Sequence, residues 1–98
     1  MNQGNKIMEK CCISAIISGK VQGVFYRDTT RRKAQSLSIT GWVKNNVDGT
    51  VELHACGDAE NIKTFVDWLW EGPSVAEVDD VIWQEIGEEK YDRFSILQ

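Results

Sequence analysis

Little in this chain of 98 residues suits the commoner kinds of site. It has one histidine, His54, so a mechanism needing a histidine base or a histidine pair has almost nothing to draw on. The three cysteines, Cys11, Cys12 and Cys56, show no CxxC spacing, which argues against a structural zinc site. No apolar run approaches the roughly 18 residues that cross a bilayer. Residues 1–9 lack the apolar segment of a signal peptide, so a flexible N-terminal tail and a cytoplasmic address are the expectations. Excess positive charge is missing too. A net charge of −4 argues against a protein that binds nucleic acid by neutralising phosphates in bulk.

What is present suffices for one ordinary core. The apolar fraction is 42% and the charged fraction 27%, typical of a soluble globular domain. One domain over 10–98 fits that size, with no room for a second core.

Local patterns give the order of elements. Ile13, Ala15 and Ile17 alternate with polar or small residues, which predicts a strand over 11–18. Gly19 and Gly23 bracket a turn, after which Tyr26, Thr30, Ala34 and Leu37 recur at helical spacing. Residues 40–45 predict a second strand and Asn46-Val47-Asp48-Gly49 a hairpin turn. A third strand follows, with Val51, Leu53 and Ala55 on one face and Glu52, His54 and Cys56 on the other. Asp58 should cap a helix with the stripe Ile62, Phe65, Val66 and Leu69, stopped by Gly72-Pro73. A fourth strand over 78–86 loses its apolar parity at Asp79-Asp80, as a bulge would require. Phe94 and Ile96 suggest a short last strand. The order βαββαβ plus this strand predicts an α+β ferredoxin-like sandwich, an antiparallel sheet with two helices on one face.

Topology then places chemistry. In a split βαβ unit the first two strands run parallel, so both end at one sheet edge. That edge receives loop 19–24, the N-terminus of the first helix with Arg27, and Asn45 at the end of the second strand. Unpaired amides and the helix dipole favour an anion there, and glycines let the loop curl around it. A cation in the first turn opposes the dipole, a cost that a bound phosphate would offset. By itself the Gly-x3-Gly spacing is more often an ordinary βα turn with a solvated arginine.

The full string is more specific. Gly19-Lys20-Val21-Gln22-Gly23-Val24-Phe25-Tyr26-Arg27 resembles the phosphate-loop signature of the acylphosphatases, G-x-V-Q-G-V-x-[FY]-R, at every defined position. Gly41-Trp42-Val43-Lys44-Asn45, with Gly49, Val51 and Gly57, is similar to that family's second signature. The resemblance spans about residues 10 to 97. It implies that the loop amides of Gly19 to Arg27 and the Arg27 side chain hold a phosphoryl group. It also implies that Asn45 orients the attacking water, that a small acyl phosphate is the substrate, and that no metal or cofactor is needed. Inorganic phosphate would be product and inhibitor, with sulfate as its mimic, and a monomer without nucleic-acid or membrane partners is implied. The family commonly has glycine where this chain has Ser38, which would then sit strained in a left-handed turn.

Two further readings stand beside it. Such domains also occur inside larger proteins that handle carbamoyl phosphate, so a non-catalytic phosphate-binding module is one alternative. A single-strand RNA binder is another, although the clustered sheet aromatics it needs are missing. Elsewhere, His54 reads as a surface residue, Arg31-Arg32-Lys33 as a solvated helix face, and Trp42 as cover for the open sheet face. In strand order 4-1-3-2, Cys12 and Cys56 could stand opposite each other and form a disulfide, whereas a reducing compartment would keep them as thiols.

Overall fold

The structure, a computed structural model, describes residues 9–98. The tail expected over 1–9 therefore lies outside the described residues, apart from Glu9, whose carbonyl accepts the Ala59 N–H at 3.0 Å. Seven elements follow: β1 (Lys10–Lys20), α1 (Tyr26–Ser36), β2 (Thr40–Asn45), β3 (Val51–Asp58), α2 (Ala59–Glu71), β4 (Glu77–Ile86) and β5 (Phe94–Ile96). The five strands form one sheet in the order β4-β1-β3-β2-β5, with both helices packed on it. This is the ferredoxin-like arrangement with an added edge strand.

The period-two pattern of β1 explains its place at the centre. Ile13, Ala15 and Ile17 are buried under the helices, in one cluster with Leu53 of β3, Val43 of β2 and Phe65 of α2. Phe65 is fully buried, and truncating such a residue to alanine costs about 3–5 kcal/mol. The disrupted parity of β4 is a bulge: Ser18 pairs with Asp80 but Gly19 pairs with Val78, leaving Asp79 without a partner. Gly19 has φ 122°, and a Cβ there would overlap the Glu77 carbonyl oxygen, so only glycine fits beside the bulge.

Three expectations need correction. Gly19 and Lys20 are the last residues of β1 rather than part of the loop, because the bulge lets β4 keep pairing with them. The sheet is mixed, since β5 pairs with β2 in parallel. Chain path explains this: residues 87–93 cross from β4 to the far edge, so β5 runs opposite to β4, which is itself antiparallel to β1 and hence to β2. Asp58 does occupy the N-cap of α2, but its side chain makes no capping hydrogen bond.

Candidate functional site

β1 and β2 are both antiparallel to β3, so their C-terminal ends meet at one edge. Between β1 and α1 runs the loop Val21–Phe25. Val21 and Val24 are buried and anchor it to the core, while Gly23 and Phe25 are exposed. Gly23 (φ 74°) and Phe25 (φ 66°) take left-handed conformations on either side of Val24, which does not. Such alternation turns successive N–H groups toward a common point. For phenylalanine this conformation costs on the order of 1 kcal/mol or more. The Phe25 carbonyl is gripped twice, accepting from the Thr29 N–H at 3.0 Å and the Thr29 hydroxyl at 2.8 Å.

The consequence is a row of free donors. Among the described residues, no backbone N–H from Gln22 through Asp28 donates to a protein acceptor; Thr29 is the first that does. Tyr26 holds this row in place without facing it. Its ring is buried beside Trp68, with centroids 5.9 Å apart, and its hydroxyl donates to the Leu69 carbonyl at 2.6 Å. Burial pushes the Tyr26 phenol well above its ordinary range, so it stays a donor.

Arg27 is half-buried and lines a depression of about 370 Å³ together with Phe25, Asp28, Ile96 and Gln98. Among the described residues it has no carboxylate partner. Asp28, next in sequence, is drawn along the helix instead. It pairs with Arg31 at 3.1 Å and Arg32 at 3.0 Å, an (i, i+3) and (i, i+4) set. Arg32 is largely solvated and Arg31 partly so, as expected of that helix face, and both pair there with Asp28.

Asn45 closes β2 at the same edge, opposite Val51. Its Oδ1 is buried and has no hydrogen-bond partner. Asn45 is outside the lining of the depression, and its connection to the loop runs through Gln22. The Gln22 side-chain amide donates to the carbonyls of Asn46 and Thr50, both at 2.8 Å. These are the closing residues of the β2–β3 hairpin, where Asn46 N–H also donates to Thr50 O at 2.8 Å. Asp48 accepts from the hydroxyl and N–H of Thr50, and the hydroxyl contact in particular holds the Asp48 carboxyl below its ordinary range. The hairpin is therefore a closed hydrogen-bonded unit, and Gln22 joins the loop to it. Sequence reading gave Gln22 a loop amide and missed its side chain, for which a lone glutamine offers no signal.

A second polar cluster occupies the other face and the other end of β1. Cys12 and Cys56 stand directly opposite and are joined as a disulfide, and the Glu89 N–H points at Cys12 Sγ from 3.4 Å. Glu89 contacts His54 Nδ1 at 2.9 Å and accepts from the Tyr91 hydroxyl, which in turn accepts from Trp42 Nε1 at 3.2 Å. Trp42 stacks on His54 with ring centroids 4.6 Å apart. The Tyr91 and His54 hydrogen bonds hold Glu89 below the ordinary carboxylate range. His54 is consequently half-buried, held by Glu89 at Nδ1 and by the stacked Trp42 ring, rather than a bare surface histidine. Among the described residues no group of three His, Cys, Asp or Glu side chains could hold a metal ion.

Comparison with known proteins gives this geometry a family. The Acylphosphatase family profile matches residues 13–96. An acylphosphatase of Coxiella burnetii is 50% identical over 91 residues, covering 93% of this chain and 96% of that one. A solved Coxiella burnetii acylphosphatase structure superposes with a TM-score of 0.89 at 49% identity, over 92% of this chain and 95% of the other. The crystal structure of acylphosphatase from Bacillus subtilis gives 0.87 at 34% identity, over 90% and 99%. With the loop, the arginine and the asparagine at one edge of this fold, the chain belongs to the acylphosphatase family.

Proposed function

We propose that this chain hydrolyses acyl phosphates to a carboxylate and inorganic phosphate, with Arg27 and the loop amides binding the phosphoryl group and Asn45 placing the water. One observation carries the reading. Among the described residues, the amides from Gln22 to Asp28 have no protein acceptor, and they adjoin Arg27, which has no carboxylate partner, at the sheet edge where Asn45 ends β2.

The reaction asks little more of the protein. Phosphoryl transfer through a loose transition state needs charge stabilisation on the equatorial oxygens and an in-line nucleophile. The amides and the guanidinium supply the first. The Asn45 side-chain amide, at the end of β2, would hydrogen-bond the attacking water and so fix its lone pair toward phosphorus. The departing carboxylate has a conjugate-acid pKa of about 4, so it leaves without a general acid. The water's proton can pass to a phosphoryl oxygen. Phosphate monoesters, whose leaving alkoxide needs protonation, should be poor substrates. All of these groups come from one chain, which supports a working monomer. A labile, energy-rich substrate of this kind fits a cytoplasmic role.

The test is phosphate release from acetyl phosphate by the full chain in the presence of a chelator, repeated with Arg27→Ala. The expected loss is on the order of 10³-fold, by analogy with other arginines that stabilise transferring phosphoryl groups. Wild-type protein that binds inorganic phosphate yet releases none from acetyl phosphate would make it a binding module instead.

A further inference from the structure

Among the described residues, three enclosed side-chain polar atoms have no hydrogen-bond partner: Thr30 Oγ1, Arg31 Nε and Asn45 Oδ1. Leaving such an atom unpaired is costly, so each asks for a reason. Thr30 is the odd one among the helical threonines. Thr29 and Thr64 return their hydroxyls to the carbonyl four residues back, Phe25 at 2.8 Å and Glu60 at 3.2 Å. That is the ordinary refuge of a threonine in a helix. Thr30 does not take it, although the Tyr26 carbonyl stands in the same relation to it and the residue is 0% exposed.

Position shows what the hydroxyl could serve. Thr30 belongs with Tyr26 and Ala34 to the buried stripe of α1, and α1 packs on β2. Side chains on a helix lean toward its N-terminus. In α1 that is the edge at which Asn45 ends β2, with the same parity as the buried Val43. A hydroxyl without an acceptor and an amide oxygen without a donor therefore come from two elements packed together. Arg31 Nε is the rival donor, but Asp28 holds that guanidinium along the helix at 3.1 Å and the side chain is 40% exposed.

We infer that Thr30 is a positioning residue for Asn45, its hydroxyl donating to Asn45 Oδ1 directly or through one buried water. The inference rests on the hydrolase reading given above. An amide has two unlike ends, and a flip exchanges donor for acceptor. With Oδ1 held inward, the NH2 end is left to meet the attacking water. The water oxygen accepts from it with one lone pair and keeps the other for phosphorus. Thr30 itself touches neither water nor substrate.

Thr30→Val and Thr30→Ala, assayed on acetyl phosphate with inorganic phosphate as inhibitor, test the assignment. Each should lower kcat per folded molecule roughly 3- to 10-fold, the range of one hydrogen bond, while KM and phosphate inhibition move less than about twofold. Thr30→Ser should recover most of the loss, and Arg31→Lys should show none. In an Asn45→Ala background, Thr30→Val should lower kcat no further, because the group it positions is gone. An unchanged kcat in both Thr30→Val and Thr30→Ala overturns the inference. So does a full further loss on top of Asn45→Ala, or a fall in kcat with Arg31→Lys instead. In each of these cases the hydrolase reading stands, whereas wild-type protein inactive on acetyl phosphate overturns the two together.

Discussion

The two ends of β1 are built by opposite rules. At its start, Cys12 is bonded to Cys56, and the crossing segment above it ties Glu89, His54, Tyr91 and Trp42 into one network. At its end, a bulge, two left-handed residues and a row of unpaired amides leave polar groups without partners. Satisfied polar groups make one end rigid and inert. Unsatisfied ones leave the other free to take a ligand, as the proposed function requires, at a cost the rest of the fold must carry. Stability and chemistry are therefore concentrated at different ends of a single strand, and substitutions at the two ends should fail in different ways.

The most severe disturbance at the loop end, after Arg27, is Asn45→Ala. It should lower kcat on the order of 10²-fold or more while inorganic phosphate binds about as tightly as before, because the amides and Arg27 remain. Equal losses in kcat and in phosphate affinity, compared by kinetics and by calorimetry, would break the division of roles. The unfolding temperature should hardly move.

The start of β1 should show the reverse. Reduction, or Cys12→Ala with Cys56→Ala, should cost roughly 2–4 kcal/mol of stability, since the bridge joins residues 44 apart in sequence. Turnover per folded molecule should be unchanged. Thiol counting on denatured, unreduced protein checks the premise: one thiol, that of Cys11, is expected, and three would rule the bridge out.

Ser38 sharpens the comparison with a smaller effect. Like Phe25 it flanks α1 in a left-handed conformation, with φ 56°, but it lies at the helix exit, far from the loop. Ser38→Gly should raise stability by about 1 kcal/mol, seen as an unfolding midpoint several degrees higher, with kinetics on every substrate unaltered. Relief of strain at Phe25 would act within the phosphate loop; relief at Ser38 acts outside it.

The smallest effect concerns Glu89. Its carboxyl is held low in the folded state, so the unfolded chain binds the proton more readily and stability rises with pH across this window. The contribution is complete above the ordinary glutamate value of about 4.3 and is lost as pH falls through the lower, folded one. Thermal unfolding followed down from pH 6 should therefore show its steepest loss between those two values, and Glu89→Gln should flatten part of the slope. A matching change in the mutant's activity at neutral pH would contradict the separation of the two ends.

Much of this was legible before any coordinates. Period-two and helical spacings place every regular element, and the parity break at Asp79-Asp80 marks the bulge, because a strand cannot change its facing without an extra residue. Strand order allows Cys12 to stand opposite Cys56, and the register of β1 on β3 puts them there. The edge shared by Arg27 and Asn45 follows from the right-handed βαβ crossover. What stayed hidden has no period. The network around Glu89 depends on an irregular segment, 87–93, crossing a face that spacing cannot locate. The side chain of Gln22 finds carbonyls that exist only once the hairpin has closed. The left-handed backbone of Phe25 contradicts its residue type, and local conflict of that kind is a property of sites rather than of folds.

Gln22 also sets a limit on engineering. Its amide spends both protons on carbonyls of another hairpin, so the nine residues from Gly19 to Arg27 are not a portable cassette. Transplanted into a different ferredoxin-like scaffold, they would carry their amides and guanidinium with them and capture phosphate. Without a hairpin offering two carbonyls at that height, the recipient would have no means of keeping the counterpart of Asn45 in register, and on the function proposed above it would be a phosphate receptor rather than a catalyst.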